Sequence, residues 1–294
     1  MENDKVILAG KIAQKVREYI KPFIKKGVPL LEIAEKIESK MGELGGEPAF
    51  PTNLSINEIA AHFTPSYNDQ TLALGLLKVD FGVNIEGNLS DTSFSIDLEN
   101  SKKNKELIEV SKKALESAIN MLKKDIEVAK IGKTIQETIE KNNFTSIVNL
   151  SGHEINDYDL HAGLTIPNFD NKKTDTLAPG LYAIEPFVTS GVGKVHDGKP
   201  SGIYQLTDNK NIRSPIAREI LQYIAEKYLT LPFCSRWLVK KFGTKALLGL
   251  NQLEQNGNVT QYNQLIETSK EVVAQSEHTI LMKDNGEVIV TTRD

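Results

Sequence analysis

Two aspartates lie inside the strands of a predicted β-hairpin, and they constrain the fold more than any other feature. Apolar and polar residues alternate over residues 79–96 around a turn centred on residues 85–88, which predicts the hairpin. Aspartate is depleted in strands because its side chain prefers turns. Asp91 should lie opposite Asp80 or Gly82, and either register puts both carboxylates on one face. Either both are solvent-exposed, or they hold a metal, because close like charges need a cation between them.

Two glutamates repeat this pattern later in the chain. Glu185 lies in Tyr182–Phe187 and Glu277 in Gln275–Ile280, both among apolar residues of predicted strands. Four acids and one histidine suit hard or borderline divalent ions, and imidazole adds affinity for Mn, Fe, Co or Zn. Two divalent ions would cancel the four negative charges. Five ligands suffice for two ions only if two acids bridge, which places the metals about 3.5–4 Å apart and predicts a hydrolytic two-metal centre.

Five histidines are the candidates for the remaining ligand and for catalysis. Taken singly, a histidine is more often a surface residue or a satisfied core residue than a ligand. Three of the five have neighbours that favour a functional role: His153 in Ser151–Glu154, His161 in Asp159–Gly163, and His278 in Gln275–Ile280. These contexts alone do not decide which histidine binds metal.

The first half of the chain predicts helices packed on strands. Amphipathic spacing predicts helices over residues 6–24, from Pro29 to Met41, and over residues 107–122. A capping box at Thr134 and Glu137 predicts the start of a fourth helix. The segments expected to follow are strands at residues 146–150 and 181–188 and a Gly-rich stretch at residues 190–202.

Near the C-terminus, a helical block interrupts this β-rich pattern. The block extends from Ser214 to about Leu265, and a last hairpin follows at residues 276–292. We therefore predict an α+β fold with a helical insertion. The predicted catalytic domain comprises residues 1–205 and 266–294, and the predicted insertion comprises residues 206–265.

Charge and composition exclude several classes of protein. The 35 Lys and Arg residues against 39 Asp and Glu residues leave a net charge of −4, which lacks the basic excess of a nucleic-acid-binding protein. The single cysteine, Cys234, excludes an intramolecular disulfide and favours a reducing compartment. No apolar run approaches the roughly 18 residues of a membrane span, and the N-terminus lacks a signal-peptide pattern. We expect a cytoplasmic protein that binds neither nucleic acid nor membrane.

Taken in order, the motifs resemble those of the type II methionine aminopeptidases, the archaeal and eukaryotic class. The resemblance covers nearly the whole chain. The matching segments are Ala49–Pro51, Asn53–His62, Val79–Gly82, Ser90–Asp91, Gly152–His153, Leu160–Gly163, Ala183–Glu185 and Glu277–Thr279. It implies the pita-bread fold, with the helical block as the type II insertion. It also implies removal of the N-terminal methionine from nascent proteins and peptides whose second residue is small.

The resemblance also implies a complete set of metal ligands. Asp80 chelates one ion, His153 and Glu185 bind the other, and Asp91 and Glu277 bridge them. The implied cofactors are two divalent ions, for which Co, Mn, Fe and Zn are all suitable. These ions activate water for attack on the scissile carbonyl.

By the same resemblance, His62 and His161 contact substrate and transition state without binding metal, and Glu185 carries a proton to the departing amine. Phe50 and Ile203 would line the slot for the methionine side chain. An epoxide of the fumagillin kind would alkylate His62. The resemblance implies a monomer that acts on nascent polypeptide N-termini, and the sequence has no mark that decides ribosome association.

Three other interpretations remain at this stage. The same fold serves Xaa-Pro peptidases and non-catalytic binding proteins, so fold alone does not decide function. Prolidase-like enzymes usually carry an additional N-terminal domain, and a binding protein should have lost ligands, none of which is lost here. Residues 193–199 nearly spell a phosphate-binding loop, but Pro200 has no hydroxyl for Mg²⁺ and no helical pattern follows.

Overall fold

The computed structural model describes residues 3–293. Within that range the helices are α1 (Asn3–Ile20), α2 (Leu30–Glu43), α3 (Lys102–Asn120), α4 (Val128–Glu140), α5 (Pro215–Lys227), α6 (Ser235–Phe242) and α7 (Lys245–Gln255). The strands are β1 (Glu47–Pro48), β2 (Asn53–Ile56), β3 (Ile59–Ala61), β4 (Leu76–Ile85), β5 (Asn88–Asp97), β6 (Thr145–Ser146), β7 (Ser151–Asn156), β8 (Asp159–Pro167), β9 (Gly180–Ile184), β10 (Phe187–Thr189), β11 (Val195–Leu206), β12 (Phe233–Cys234), β13 (Val259–Glu267), β14 (Val273–Gln275), β15 (His278–Met282) and β16 (Val288–Val290).

The predicted hairpin is present as β4 and β5. Its register pairs Asp91 with Gly82 and Asp80 with Ser93, so both aspartates lie on one face, as the sequence predicts. The other edge of β4 pairs with β1 and then with β2. The opposite face of β4, which carries Val79 and Phe81, packs on α1 and α2. The aspartates therefore face away from the helices that cover this sheet.

A second sheet has the strand order β16-β15-β9-β7-β8. Tyr182 and Ile184 of β9 and Ile280 of β15 pack in the same apolar cluster as residues of α3 and α4. The two sheets meet where Glu277 forms an isolated bridge with Ser93 of β5. Their inner faces thus come together on the side away from both helix layers.

The two glutamates lie just outside strands, which corrects the predicted placement inside them. Glu185 lies between β9 and β10, and Glu277 lies between β14 and β15. Strand ends free the backbone from the regular ladder, which lets each carboxylate point into the space between the sheets.

The predicted capping box was wrong. Helix α4 begins at Val128, so Thr134 lies inside it, and its N-cap Glu127 makes no side-chain capping bond. Backbone pairing with a distant loop occurs at the start of the helix instead, because the Val128 N–H donates to the Asp175 carbonyl at 2.9 Å. A backbone carbonyl from a distant loop therefore accepts a hydrogen bond at the N-terminus of this helix, where the sequence pattern predicted capping by side chains.

The helical block is shorter than predicted. Helices α5 to α7 form their own apolar cluster, but residues 259–267 are strand β13 rather than helix. Strand β13 pairs with β11, whose first residues fall in the predicted Gly-rich stretch, and with β3. The three helices are therefore inserted between two neighbouring strands. The assignment of residues 206–265 as a separate insertion stays a prediction.

None of the helices in the described range combines the length and the apolar character that a bilayer span requires.

Candidate metal centre

All nine predicted site residues line one cavity of about 370 Å³. They come from widely separated parts of the sequence, and most lie on or beside strands of the two inner sheet faces. They are Phe50, His62, Asp80, Asp91, His153, His161, Glu185, Ile203 and Glu277. The fold thus assembles the whole candidate set at one place.

The innermost group consists of Asp91, His153 and Glu277, whose ligand atoms all lie within 4.8 Å of one another. The Nε2 atom of His153 lies 3.6 Å from Oδ2 of Asp91 and 3.7 Å from Oε1 of Glu185. Asp80 lies outside this closest group but lines the same cavity. Four carboxylates and one imidazole in this cavity form the donor set that divalent transition metals accept.

The carboxylates are held in a site that penalises their negative charge. Burial and mutual repulsion raise the pKa of Asp80, Glu185 and Glu277 well above the usual range, and burial raises the pKa of Asp91 to about 7. Oδ1 of Asp80, Oδ1 of Asp91 and Oε2 of Glu277 are buried and accept no hydrogen bond from any described residue. Buried oxygens without donors are costly, and bound cations would satisfy them. The donor set therefore fits a metal.

His153 has the protonation pattern of a metal ligand. Its Nδ1 lies 3.4 Å from the carbonyl of Glu154, which can only accept, so Nδ1 carries the proton. Burial lowers the pKa of His153 to about 4, so the ring is neutral at physiological pH and Nε2 has a free lone pair. That lone pair faces the carboxylates of Asp91 and Glu185. A cation between them could take the place of the carboxyl protons and be bound by all three side chains.

His62 and His161 stand beside this group without joining it. The ring of His161 contacts the ring of His153 edge-on, with centroids 4.5 Å apart, and is accessible from the cavity. Nδ1 of His62 donates to the carbonyl of Asn263 at 3.2 Å, which leaves Nε2 unprotonated in the neutral ring. Both histidines therefore offer polar atoms at the cavity wall.

Hydrogen bonds outside the cavity orient the acids. Gln275 donates from Nε2 to Oε2 of Glu185 at 3.1 Å. The backbone N–H of Asp91 donates to Oγ1 of Thr279 at 2.7 Å, and the Thr92 hydroxyl donates to the carbonyl of Glu277 at 3.0 Å. These bonds connect β5 to residues 275–279, so the acids from the two sheets keep one relative position.

Two glycines allow close approaches that the site requires. A Cβ atom on Gly82, opposite Asp91, would lie 2.5 Å from Cε1 of Phe50 and from the carbonyl oxygen of Ser90. A Cβ atom on Gly152 would lie 2.2 Å from the carbonyl oxygen of Ala183. Glycine at these positions lets Phe50 reach the cavity and lets β7 bring His153 against β9.

Other lining residues were not assigned by the sequence analysis. Pro51 and Asn53 line the cavity, and both belong to segments that match the family motifs. Those motifs were the sequence feature that could have identified them. Tyr262 packs edge-on against His62, with ring centroids 5.3 Å apart, but it falls in the block predicted as helix. Its role in the wall depends on β13, which only the structure reveals.

Two of the five histidines lie elsewhere. His196 and His278 are not among the residues that line the cavity. Nδ1 of His278 lies 2.9 Å from the Thr292 hydroxyl, so this side chain points away from its neighbour Glu277. The segment that resembles a phosphate loop continues into strand β11 and leads to no helix, which argues against nucleotide binding there.

The sequence matches a model of metallopeptidase family M24 over residues 4–283. It is 46% identical over 297 residues to a methionine aminopeptidase of Pyrococcus horikoshii, a match that covers 99% of this chain and 100% of the relative. It is 43% identical over 291 residues to a methionine aminopeptidase of Methanocaldococcus jannaschii, which covers 98% of each chain.

Solved structures show the same fold. A thermophilic Arx1 has a TM-score of 0.83 at 17% identity and covers 98% of this chain and 90% of its own. Methionine aminopeptidase from Thermotoga maritima has a TM-score of 0.71 at 21% identity and covers 99% of this chain and 96% of its own. The predicted α+β pita-bread fold is confirmed by these similarities.

Proposed function

The chain belongs to metallopeptidase family M24, with methionine aminopeptidases as full-length relatives, and from that premise we propose that it removes N-terminal methionine. Its substrates are nascent proteins and peptides with a small second residue. The observation that carries the proposal is the single cavity lined by all nine residues that the resemblance marks as functional. A non-catalytic relative would be expected to lack part of this set.

We propose two divalent ions in this cavity, held by five side chains. Asp80 would bind one ion, His153 and Glu185 would bind the other, and Asp91 and Glu277 would bridge. The unpartnered oxygens of the three acids Asp80, Asp91 and Glu277 support this assignment. When bound, such ions lower the pKa of water and polarise the scissile carbonyl. Co, Mn, Fe and Zn all suit the donor set.

Glu185 is proposed to accept and donate the proton of the reaction. Burial, together with repulsion from Asp91 and Asp80, raises the pKa of this carboxyl, and a raised pKa lets a carboxyl group hold and return a proton more readily. The amide of Gln275 donates to Oε2, and Oε1 lies 3.7 Å from Nε2 of His153. This carboxylate would therefore serve both as a metal ligand and as the carrier of the proton to the departing amine, as the resemblance implies.

The two histidines are proposed to hold the substrate on either side of the scissile bond. His161, at the accessible wall, would donate a hydrogen bond to the oxyanion or the scissile amide. His62 would use its unprotonated Nε2 on the leaving side, because Nδ1 is already bonded to Asn263. Phe50 and Ile203, both buried, would line the slot for the methionine side chain.

Peptide hydrolysis with a defined metal tests this function. Metal-loaded protein should release methionine from a Met-Ala-Ser peptide and from a Met-Gly start, and should act poorly on a Met-Leu start. A bulky second side chain would press against the wall near His62 and His161. Equal rates on Met-Gly and Met-Leu would contradict the specificity. Preferential cleavage of an Ala-Pro peptide would instead establish the Xaa-Pro alternative.

The proposed partners follow from the substrate. Nascent polypeptide N-termini arise during translation, so we propose a cytoplasmic location and a monomer that meets chains as they emerge. Ribosome association is a second proposal, which co-sedimentation with ribosomes would test. A protein that runs as a stable dimer, or that is absent from the cytosol, would contradict these assignments.

A further inference from the structure

A buried ion pair outside the cavity connects the helical block to two segments of the cavity wall. Arg236, on α6, makes a two-point ion pair with Glu38, on α2, through NH1 to Oε2 at 2.6 Å and NH2 to Oε1 at 2.8 Å. The side chains are only 5% and 11% exposed. Trp237 also donates from Nε1 to Oε2 of Glu38 at 2.8 Å. Neither charged residue lines the cavity or belongs to the group of Asp91, His153 and Glu277.

The pair belongs to a closed ring of hydrogen bonds. Oε1 of Glu38 accepts from the backbone N–H of Thr52 at 3.3 Å. Arg236 donates from Nε to the carbonyl of Pro65 at 3.1 Å and from NH2 to the hydroxyl of Thr64 at 3.4 Å. The Thr64 hydroxyl in turn donates to the carbonyl of Thr52 at 2.8 Å, which closes the ring. Thr52 and Thr64 are almost fully buried.

The ring holds the two wall segments that carry the proposed substrate contacts. Thr52 lies between Pro51 and Asn53, both of which line the cavity, and Phe50 is two residues away. Thr64 is two residues after His62. The two segments also share a backbone bond, from the Leu54 N–H to the Phe63 carbonyl at 2.7 Å. Any shift between them would move Phe50 relative to His62.

His62 needs such support because its backbone is strained. Its φ is +62°, in the left-handed region that only a few per cent of residues other than glycine adopt. Strained conformations at functional sites persist only where the surroundings over-determine them. The bond from Nδ1 to Asn263 restrains the ring. The contacts of Arg236 with Thr64 and Pro65 restrain the backbone that follows.

We propose that Glu38 and Arg236 are positioning residues that set the distance between Phe50 and His62 across the substrate slot. This inference rests on the proposed function. Arg236 suits the role because its planar fork can bind a carboxylate at two points and still reach two other acceptors, which lysine cannot do. The helical block therefore acts on substrate selection through this ring.

Two variants of different severity test the proposal, with a matched control. Thr64→Val removes only the hydroxyl that joins Arg236 to Thr52 and keeps the ion pair and the side-chain shape. Glu38→Gln removes the charge partner of Arg236. The control is Glu43→Gln on the same helix, which removes an exposed ion pair with Lys40. Each protein is assayed with Met-Ala-Ser and Leu-Ala-Ser peptides well below its melting temperature, and its bound metal is measured.

We expect Thr64→Val to raise KM for the methionine peptide by roughly 10-fold with a smaller change in kcat, because small misplacements of substrate-positioning groups are costly. The preference for methionine over leucine should fall, and metal content should match wild type. Glu38→Gln should show a larger rise in KM, again with a smaller change in kcat. The control should match wild type in every measurement.

A purely structural role predicts a different result. In that case Thr64→Val would lower the melting temperature while KM and the methionine preference stay unchanged, and the proposal would be overturned. Loss of metal from Thr64→Val would also overturn it, since the ring would then support the metal site. If wild type itself fails to cleave the methionine peptide, the proposed function fails rather than the positioning role.

Discussion

The Nε2 atom of His153 lies 3.6 Å from Oδ2 of Asp91, while Nδ1 of the same ring lies 3.4 Å from the Glu154 carbonyl. The proton of the ring is on Nδ1, which donates to the Glu154 carbonyl. Burial keeps the imidazole neutral, because it lowers the pKa of His153 to about 4. A lone pair therefore faces a carboxyl group in a buried site, and either a proton on that carboxyl or a bound cation makes the arrangement favourable.

Metal removal should lower stability as well as activity. The free site holds four carboxyls with raised pKa values, so a divalent ion that binds only the folded state stabilises it. At a metal concentration about 100-fold above Kd, the gain is about 2.7 kcal/mol. Thermal unfolding before chelation, after chelation and after metal return should show a melting temperature that falls and recovers. An unchanged melting temperature would contradict a metal site.

Metal binding should release protons, and it should tighten as pH rises towards 7. In the metal-free protein, burial raises the pKa of Asp91 from 3.8 to about 7, so this carboxyl must lose its proton to bind metal. Calorimetry of Mn²⁺ binding at about pH 6, in two buffers of different ionisation enthalpy, counts the protons released. Binding without proton release there would refute the protonated state of the free site.

The same shift sets the sign of the pH dependence of folding. The folded metal-free protein keeps a proton on Asp91 that the unfolded chain loses, so its stability falls as pH rises from 3.8 to about 7. His153 acts in the opposite direction below its unperturbed pKa of 6.5, because the unfolded chain then binds more protons there. The difference in pH slope between wild type and Asp91→Asn, measured by denaturant unfolding between about pH 5 and 7, isolates the contribution of this carboxyl from that of the histidines. Saturating metal should abolish this slope.

Substitutions should separate the proposed ligands from the histidine proposed to be catalytic. Asp91→Ala removes a proposed bridging carboxylate, so metal occupancy and activity should be lost together. His161→Ala removes a hydrogen-bond donor but no proposed ligand, so metal should remain while kcat falls by roughly 10²–10⁴. KM should change less, because the interaction matters mainly in the transition state.

Elemental analysis and kinetics on a Met-Ala peptide check both variants. If His161→Ala loses metal as completely as Asp91→Ala, His161 belongs among the ligands and the proposed set is wrong. His196→Ala is a suitable control, because His196 lies outside the cavity. It should keep both metal and activity.

His62 should be the nucleophile towards an epoxide of the fumagillin kind. Burial lowers its pKa, so the ring is neutral, and Nδ1 is occupied by the bond to Asn263. Nε2 is therefore the free nucleophilic atom, at the wall of the cavity. Peptide mapping by mass spectrometry should locate one adduct on His62, and His62→Gln should remain unlabelled. An adduct on His161 instead would refute the assignment.

The local pattern of the sequence was enough to place the paired aspartates. Strand alternation is a property of consecutive residues, so Asp80 and Asp91 were predicted on one face without knowledge of the rest of the fold, and the register confirms it. Local signals failed where distant partners decided the outcome. The N-terminus of α4 is satisfied by residue 175 rather than by Thr134, and residues 259–267 became a strand through pairing with β11.

The sequence by itself determined which residue types are available for the proposed site and, through the resemblance, which positions are candidates. Only the tertiary structure decided how they act on one another. The proton position on His153 depends on the Glu154 carbonyl, and the orientation of Glu185 depends on Gln275. The proposed positioning of the cavity wall depends on the ion pair between Arg236 and Glu38. These are contacts between specific atoms, set by how the strands and helices pack. Residue type and spacing state which atoms are available, whereas distance and burial decide which charges, protons and lone pairs face each other.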